Sequence, residues 1–132
     1  GEIIAGARAP GEEGTVFADA RNVLRSMVNG PPMSFSSGEN TIIGAVVTNA
    51  RLDKKHCTLV AQMAQAGVAR TVRPAQTAFD GDTMFALATG EVEADVNIVG
   101  AFAVETVMEA ILRAVRKAEG VAGLPAWADL QL

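Results

Sequence analysis

Between Thr41 and Thr48 the chain carries Ile42, Ile43, Ala45, Val46 and Val47, so both faces of the run are apolar. A short run of this kind predicts a strand in the middle of a sheet, covered on both sides. It begins abruptly. Ahead of it lies a Pro/Gly/Ser-rich linker over residues 29–40, from Asn29-Gly30-Pro31-Pro32 to Gly38-Glu39-Asn40. Such linkers are exposed and are preferred places for a chain to be cut. A cut between Asn40 and Thr41 creates a residue holding a free amine and a hydroxyl together, a self-contained base and nucleophile.

The rest of the chain reads as alternating elements. Residues 1–6 look like a short strand or its remnant, and residues 7–14 are polar and turn-forming. Asp19 to Val28 predicts a short helix with Asp19 as cap and Ala20, Val23, Leu24 and Met27 on one face. After the strand, Asp53 is the expected N-cap of a helix from Lys54 to about Thr71, whose stripe is Cys57, Val60, Ala61, Ala64 and Val68. Pro74 ends it. Asp80-Gly81-Asp82 reads as a tight acidic turn, followed by a strand from Thr83 to Ala88 that Gly90 closes. A long helix follows over residues 97–118, with Ala101, Val104, Met108, Ile111 and Val115 as its expected buried stripe. The tail is irregular and packs Trp127 onto the body. Strand, helix, strand, helix means α/β or α+β, with helices covering a sheet.

Composition narrows the function classes. With 132 residues, 49% hydrophobic and 20% charged, the chain is of one-domain size and globular. Its net charge of -4, the lack of a basic cluster and the absence of Tyr argue against a nucleic-acid surface. No apolar stretch is long enough to predict a membrane span. Cys57 is the single cysteine, so neither an internal disulfide nor a cysteine metal site is available; no metal and no cofactor are expected, and a reducing, cytoplasmic setting fits. The opening Gly1-Glu2-Ile3-Ile4-Ala5-Gly6 reads as a strand already in progress, which suggests a fragment or a processed product.

Several stretches in order carry a resemblance: Gly38-Glu39-Asn40-Thr41, Val47-Thr48-Asn49-Ala50-Arg51-Leu52, Gly67-Val68-Ala69-Arg70, Arg73-Pro74, and Asp80-Gly81-Asp82-Thr83 through Gly90. The chain resembles the self-processing peptidases typified by the D-aminopeptidase/L-aminopeptidase-D-Ala-esterase group. That group includes β-peptidyl aminopeptidases and the nylon-oligomer (6-aminohexanoate oligomer) endohydrolase, and the nylon-oligomer branch, with its Thr nucleophile and Asp-Gly-Asp-Thr stretch, is most similar. The resemblance implies a four-layer α-β-β-α sandwich of the N-terminal-nucleophile-like type, of which this chain is the C-terminal part. Residues 1–40 then correspond to the tail of the first subunit with its processing linker, and 41–132 to the second. A homo-oligomer and a missing first portion are implied as partners.

On that resemblance Thr41 is the nucleophile, Asn40–Thr41 the self-cleaved bond, and Asp80 and Asp82 the carboxylates beside it. Residues two apart in an extended segment project to one side, so both carboxylates can serve one site. For a lone Asn-Thr pair, an ordinary strand-opening threonine is the simpler reading. A plain turn is likewise the simpler reading of Asp-Gly-Asp alone; the family pattern shifts both to catalysis. His56 reads as exposed at a helix start and Cys57 as core. The chain departs from the family at Gln65-Ala66, where an acidic residue and His are frequent, at Gln76-Thr77 in place of His-Thr, and at Ile42 in place of Thr. The expected function is an aminopeptidase or oligoamide hydrolase acting on a peptide or oligoamide. The rival expectation is a non-catalytic member that serves as an assembly or small-molecule-binding subunit.

Overall fold

The computed structural model describes residues 2–9, 16–28, 30, 41–78 and 80–130. Of the linker over residues 29–40 all but Gly30, Asn40 included, lies outside the described residues. The elements run α1 (Ala20–Met27), β1 (Ile43–Ala50), α2 (Lys54–Thr71), β2 (Thr83–Val92) and α3 (Val96–Lys117), with a 3-10 turn at Trp127–Leu130. Together they form a mixed α+β chain with a small parallel sheet. Two compact units divide it: residues 37–111, and residues 1–36 with 112–132.

In the 37–111 unit, β1 and β2 pair in parallel, Ile43 opposite Thr83 and Val47 opposite Leu87. Parallel neighbours need a crossover, and α2 supplies it. Asp53 caps α2 by accepting the His56 N–H at 2.8 Å, as the Asp/Ser/Thr/Asn preference at that position predicts. The helix buries Val60, Ala64, Gly67 and Val68. They meet Val46, Ala103 and Val107 in one core, with Met84 and Ala86 packed against it. Val60 and Val68 are fully buried, each burial contributing roughly 1.5–3 kcal/mol.

Small residues let the two long helices approach. A Cβ added to Gly67 would lie 2.6 Å from the Val104 carbonyl oxygen and 2.9 Å from Val107 Cβ. One added to Gly100 would meet the Met63 thioether instead.

Several expectations need correction. Residues 2–6 form no strand; among the described residues the N-terminal pairing is an isolated antiparallel bridge between Arg8 and Phe17. β1 is covered on one face only within the described chain: Val46 and Ala50 are buried, while Ile43 and Val47 are 74% and 68% exposed. The outward row continues across to Phe85 and Leu87. Asp80-Gly81-Asp82 is not a turn but the lead-in to β2; parallel pairing through α2 overrides the local Asp-Gly turn signal. β2 does not end at Gly90. It passes through that residue, whose φ of +83° suits glycine. The register shifts there, placing Ala50 opposite Val92. On α3 the buried residues are Gly100, Ala103, Val104 and Val107, and Ala101 is exposed. Val104 of the expected stripe is buried and Met108, Ile111 and Val115 are half-buried. Only Ala101 faces out, and the buried face is widened to Gly100, Ala103 and Val107, where close helix approach selects small side chains.

In the other unit, Asp19 caps α1 by accepting the Arg21 N–H at 2.9 Å. The Arg116 guanidinium stands 5.9 Å from the Trp127 ring centroid, a cation–π arrangement. Ala126 is buried, and its N–H reaches the Asp129 carboxylate at 2.8 Å. No helix of the described residues is long and apolar enough to cross a membrane.

The helix caps titrate. The His56 backbone N–H holds the Asp53 carboxyl below the ordinary carboxylate range, and the Asn97 N–H does the same for Asp95. Groups depressed in the folded state contribute stability above their unfolded pKa and lose it as pH falls through the folded one. The difference in melting temperature between the native sequence and Asp53→Ala should therefore be full near neutrality. It should close as the pH drops below about 4. Thermal unfolding followed by circular dichroism across that range checks it.

Candidate active site

Extending the β1–β2 register two residues beyond Ile43 and Thr83 sets Thr41 opposite Gly81. The approach is close: a Cβ placed on Gly81 would stand 2.8 Å from Thr41 Oγ1. Glycine thus clears the space that the threonine hydroxyl occupies. Thr41 is exposed and continues the outward row of Ile43, Ala45 and Val47.

The residue after Thr41 is pinned from two directions. The Ile42 N–H donates to Asp82 Oδ1 at 2.9 Å. The Ile42 carbonyl accepts the Thr83 N–H at 2.8 Å. One carboxylate and one ladder bond therefore fix the backbone immediately beyond the hydroxyl. Asp80 turns elsewhere. Its Oδ2 accepts the Thr77 N–H at 2.7 Å, and its own N–H donates back to the Thr77 carbonyl at 3.1 Å. Asp80 and Asp82 are both half-buried and continue the covered row of Met84 and Ala86. Their carboxylates take different partners, Ile42 and Thr77, while Thr41 lies on the exposed row. Among the described residues neither makes a hydrogen bond to the Thr41 hydroxyl.

Sequence reasoning registered Gln65 and Gln76 only as departures, and the structure places both at this site. Gln65 Nε2 donates to the Asp82 carbonyl at 3.2 Å, and Gln76 Nε2 donates to Gln65 Oε1 at 3.3 Å. Gln76 adopts φ +58°, a left-handed conformation that non-glycine residues rarely take. One signal for Gln65 was available: a polar residue next to Ala64 on the edge of an otherwise apolar stripe.

His56 and Cys57 stand apart from this cluster. His56 Nδ1 lies 2.8 Å from Asp53 Oδ1 at the start of α2. The surface groove there is lined by Lys54, Lys55, His56, Leu59, Gln62 and Asn97, and by no residue around Thr41. Cys57 is half-buried on the helix stripe. No group of three or more His, Cys, Asp or Glu side chains among the described residues is arranged to hold a metal ion.

What the arrangement can do follows from its parts. A hydroxyl sits where a glycine makes room, on a backbone held by a carboxylate and a strand partner. This is a way of presenting a weak nucleophile in one orientation.

Comparison with known proteins bears on the same stretch. The profile described as Peptidase family S58 matches residues 5–126. An uncharacterized aminopeptidase of Mycobacterium leprae is 48% identical over 109 residues, covering 71% of this chain and 30% of that protein. An uncharacterized aminopeptidase of Mycobacterium tuberculosis is 37% identical over 120 residues, 80% of this chain and 35% of its own length. A 6-aminohexanoate-oligomer endohydrolase of Kocuria sp. is 29% identical over 99 residues, 65% of this chain and 27% of that enzyme. The chain spans about a third of the length of the curated relatives it matches.

Proposed function

Since the chain belongs to peptidase family S58, we propose that it is the nucleophile-bearing part of an amide hydrolase that cuts itself between Asn40 and Thr41. The observation that carries this reading is the placement of Thr41: Gly81 yields space to its hydroxyl, and Asp82 fixes the Ile42 N–H beside it. The names of the relatives, aminopeptidase and oligomer endohydrolase, support an amide or peptide substrate.

In the proposed sequence, the Thr41 hydroxyl attacks the Asn40 carbonyl carbon. The C–O bond forms, the C–N bond breaks, and the hydroxyl proton passes to the departing amine. Water then hydrolyses the ester, leaving Asn40 with a carboxylate and Thr41 with a free amine. That amine, of ordinary pKa near ~8, is unprotonated often enough at neutral pH to serve as the base for its own hydroxyl. The hydroxyl attacks a substrate amide, the amine product leaves, and water releases the acyl group. Asp82 orients the nucleophile through the Ile42 N–H, and Asp80 secures the adjoining loop at Thr77. Oxyanion donors come from the portion that the curated relatives carry beyond the matched stretch. That portion also covers the outward row of Ile43, Val47, Phe85 and Leu87, completing a four-layer sandwich in a cytoplasmic homo-oligomer.

Intact mass spectrometry of the full chain tests the reading. Two pieces, one ending at Asn40 and one beginning at Thr41, together with release of product from a short peptide or a 6-aminohexanoate oligomer, are the expected result. A single whole mass with no amide hydrolysis overturns it in favour of an assembly subunit.

A further inference from the structure

We infer that Gln65 and Gln76 form a neutral positioning relay that holds Asp82 in register with Thr41; the inference rests on the nucleophile reading above. Asp82 does its work with its carboxylate, which takes the Ile42 N–H. That carboxylate is aimed correctly only if the Asp82 backbone is held, and its carbonyl is gripped from α2 by Gln65 Nε2. Gln65 is gripped in turn, because its Oε1 accepts from Gln76 Nε2. The side chain must therefore donate on one side and accept on the other. A carboxamide does both at once, whereas a carboxylate would only accept and would face the Asp82 carbonyl with like polarity.

Gln76 pins the far end. Its left-handed backbone, φ +58°, aims its side chain back at α2. The next residue, Thr77, donates its N–H to Asp80. Both aspartates are thus tied to one short loop, Asp80 directly and Asp82 through two uncharged amides. Conformations of this kind persist only where surrounding contacts over-determine them. Gln65 and Gln76 are positioning residues; neither touches the reacting atoms.

The test is a double-mutant cycle in the full chain with Gln65→Leu, Gln76→Leu and the pair. Each single variant should melt like the native protein. Each should slow scission of the Asn40–Thr41 bond by about three- to tenfold, the effect of one neutral hydrogen bond. The mature enzyme should lose kcat by a similar factor at unchanged KM. The double variant should be no slower than Gln65→Leu alone, and Gln65→Glu should behave like Gln65→Leu rather than rescue. If the native chain is cut and active but these variants match its rates, or raise KM alone, the relay is overturned. An additive double variant overturns the link through Gln76. Gln76 is exposed, so its variant remains informative should a change at Gln65 impair folding. If the native chain neither cuts itself nor hydrolyses an amide, the Thr41 reading fails first and takes the relay with it.

Discussion

A chain carrying Thr41→Ala should never separate into two pieces, and one carrying Gly81→Ala should separate about 10²-fold more slowly, the loss expected for a nucleophile displaced by roughly an ångström. The first variant removes the only hydroxyl that can attack the Asn40 carbonyl in the proposed sequence. The second leaves the hydroxyl but fills its place. The new methyl would stand 2.8 Å from Thr41 Oγ1, too close for either atom to stay. The cheapest relief is rotation of the threonine side chain, not rearrangement of the sheet. Stability should therefore change little while scission collapses. Time-resolved gel analysis of both variants, paired with their melting curves, checks this. A Gly81→Ala chain that cuts at the native rate would show that the hydroxyl does not react from the position seen.

Gly67→Ala should have the largest effect on folding. Its added carbon meets the Val104 carbonyl oxygen at 2.6 Å and Val107 Cβ at 2.9 Å. A backbone carbonyl inside a helix cannot swing aside, so the relief must come from separating α2 and α3. Overpacking of this type costs about 1–3 kcal/mol. Gly100→Ala is the natural control. The three atoms nearest its added carbon all belong to the Met63 side chain, a flexible thioether that repacks at small cost. Chemical denaturation of the two variants side by side should rank Gly67→Ala clearly lower. Equal midpoints would mean that the helix pair is looser than its spacing indicates.

The contrast between these glycines also shows what was legible in advance. α2 could be placed closely because two independent signals agreed, the Asp53 cap and the stripe from Val60 to Val68. α3 was located with Val104 inside, but its buried face reaches Gly100, Ala103 and Val107 and leaves Ala101 out. Its sequence is small and apolar on several sides, and the buried set is chosen by how closely Gly100, Ala103 and Val104 let another helix approach. Periodicity carries no information about that distance. The Asp-Gly-Asp stretch misled for a related reason. Locally it favours a turn, but a parallel partner forty residues upstream draws it straight. The pairing of Thr41 with Gly81 and of Gln65 with Gln76 is likewise tertiary: nothing in their spacing along the chain announces it. The family pattern pointed to Thr41, Asp80 and Asp82. How each one is held became visible only with the strands side by side.

The crossover that joins the strands has a consequence in time. The Ile42 N–H and the Asp82 carboxylate are separated by forty residues, and the whole of α2 lies between them. A polypeptide leaving the ribosome exposes Thr41 before it exposes Asp82. On the proposed reading, the reactive bond stays dormant throughout that interval. Scission then acts as a maturation checkpoint: a nascent or misfolded copy remains in one piece, and a cut copy has by that fact completed its crossover.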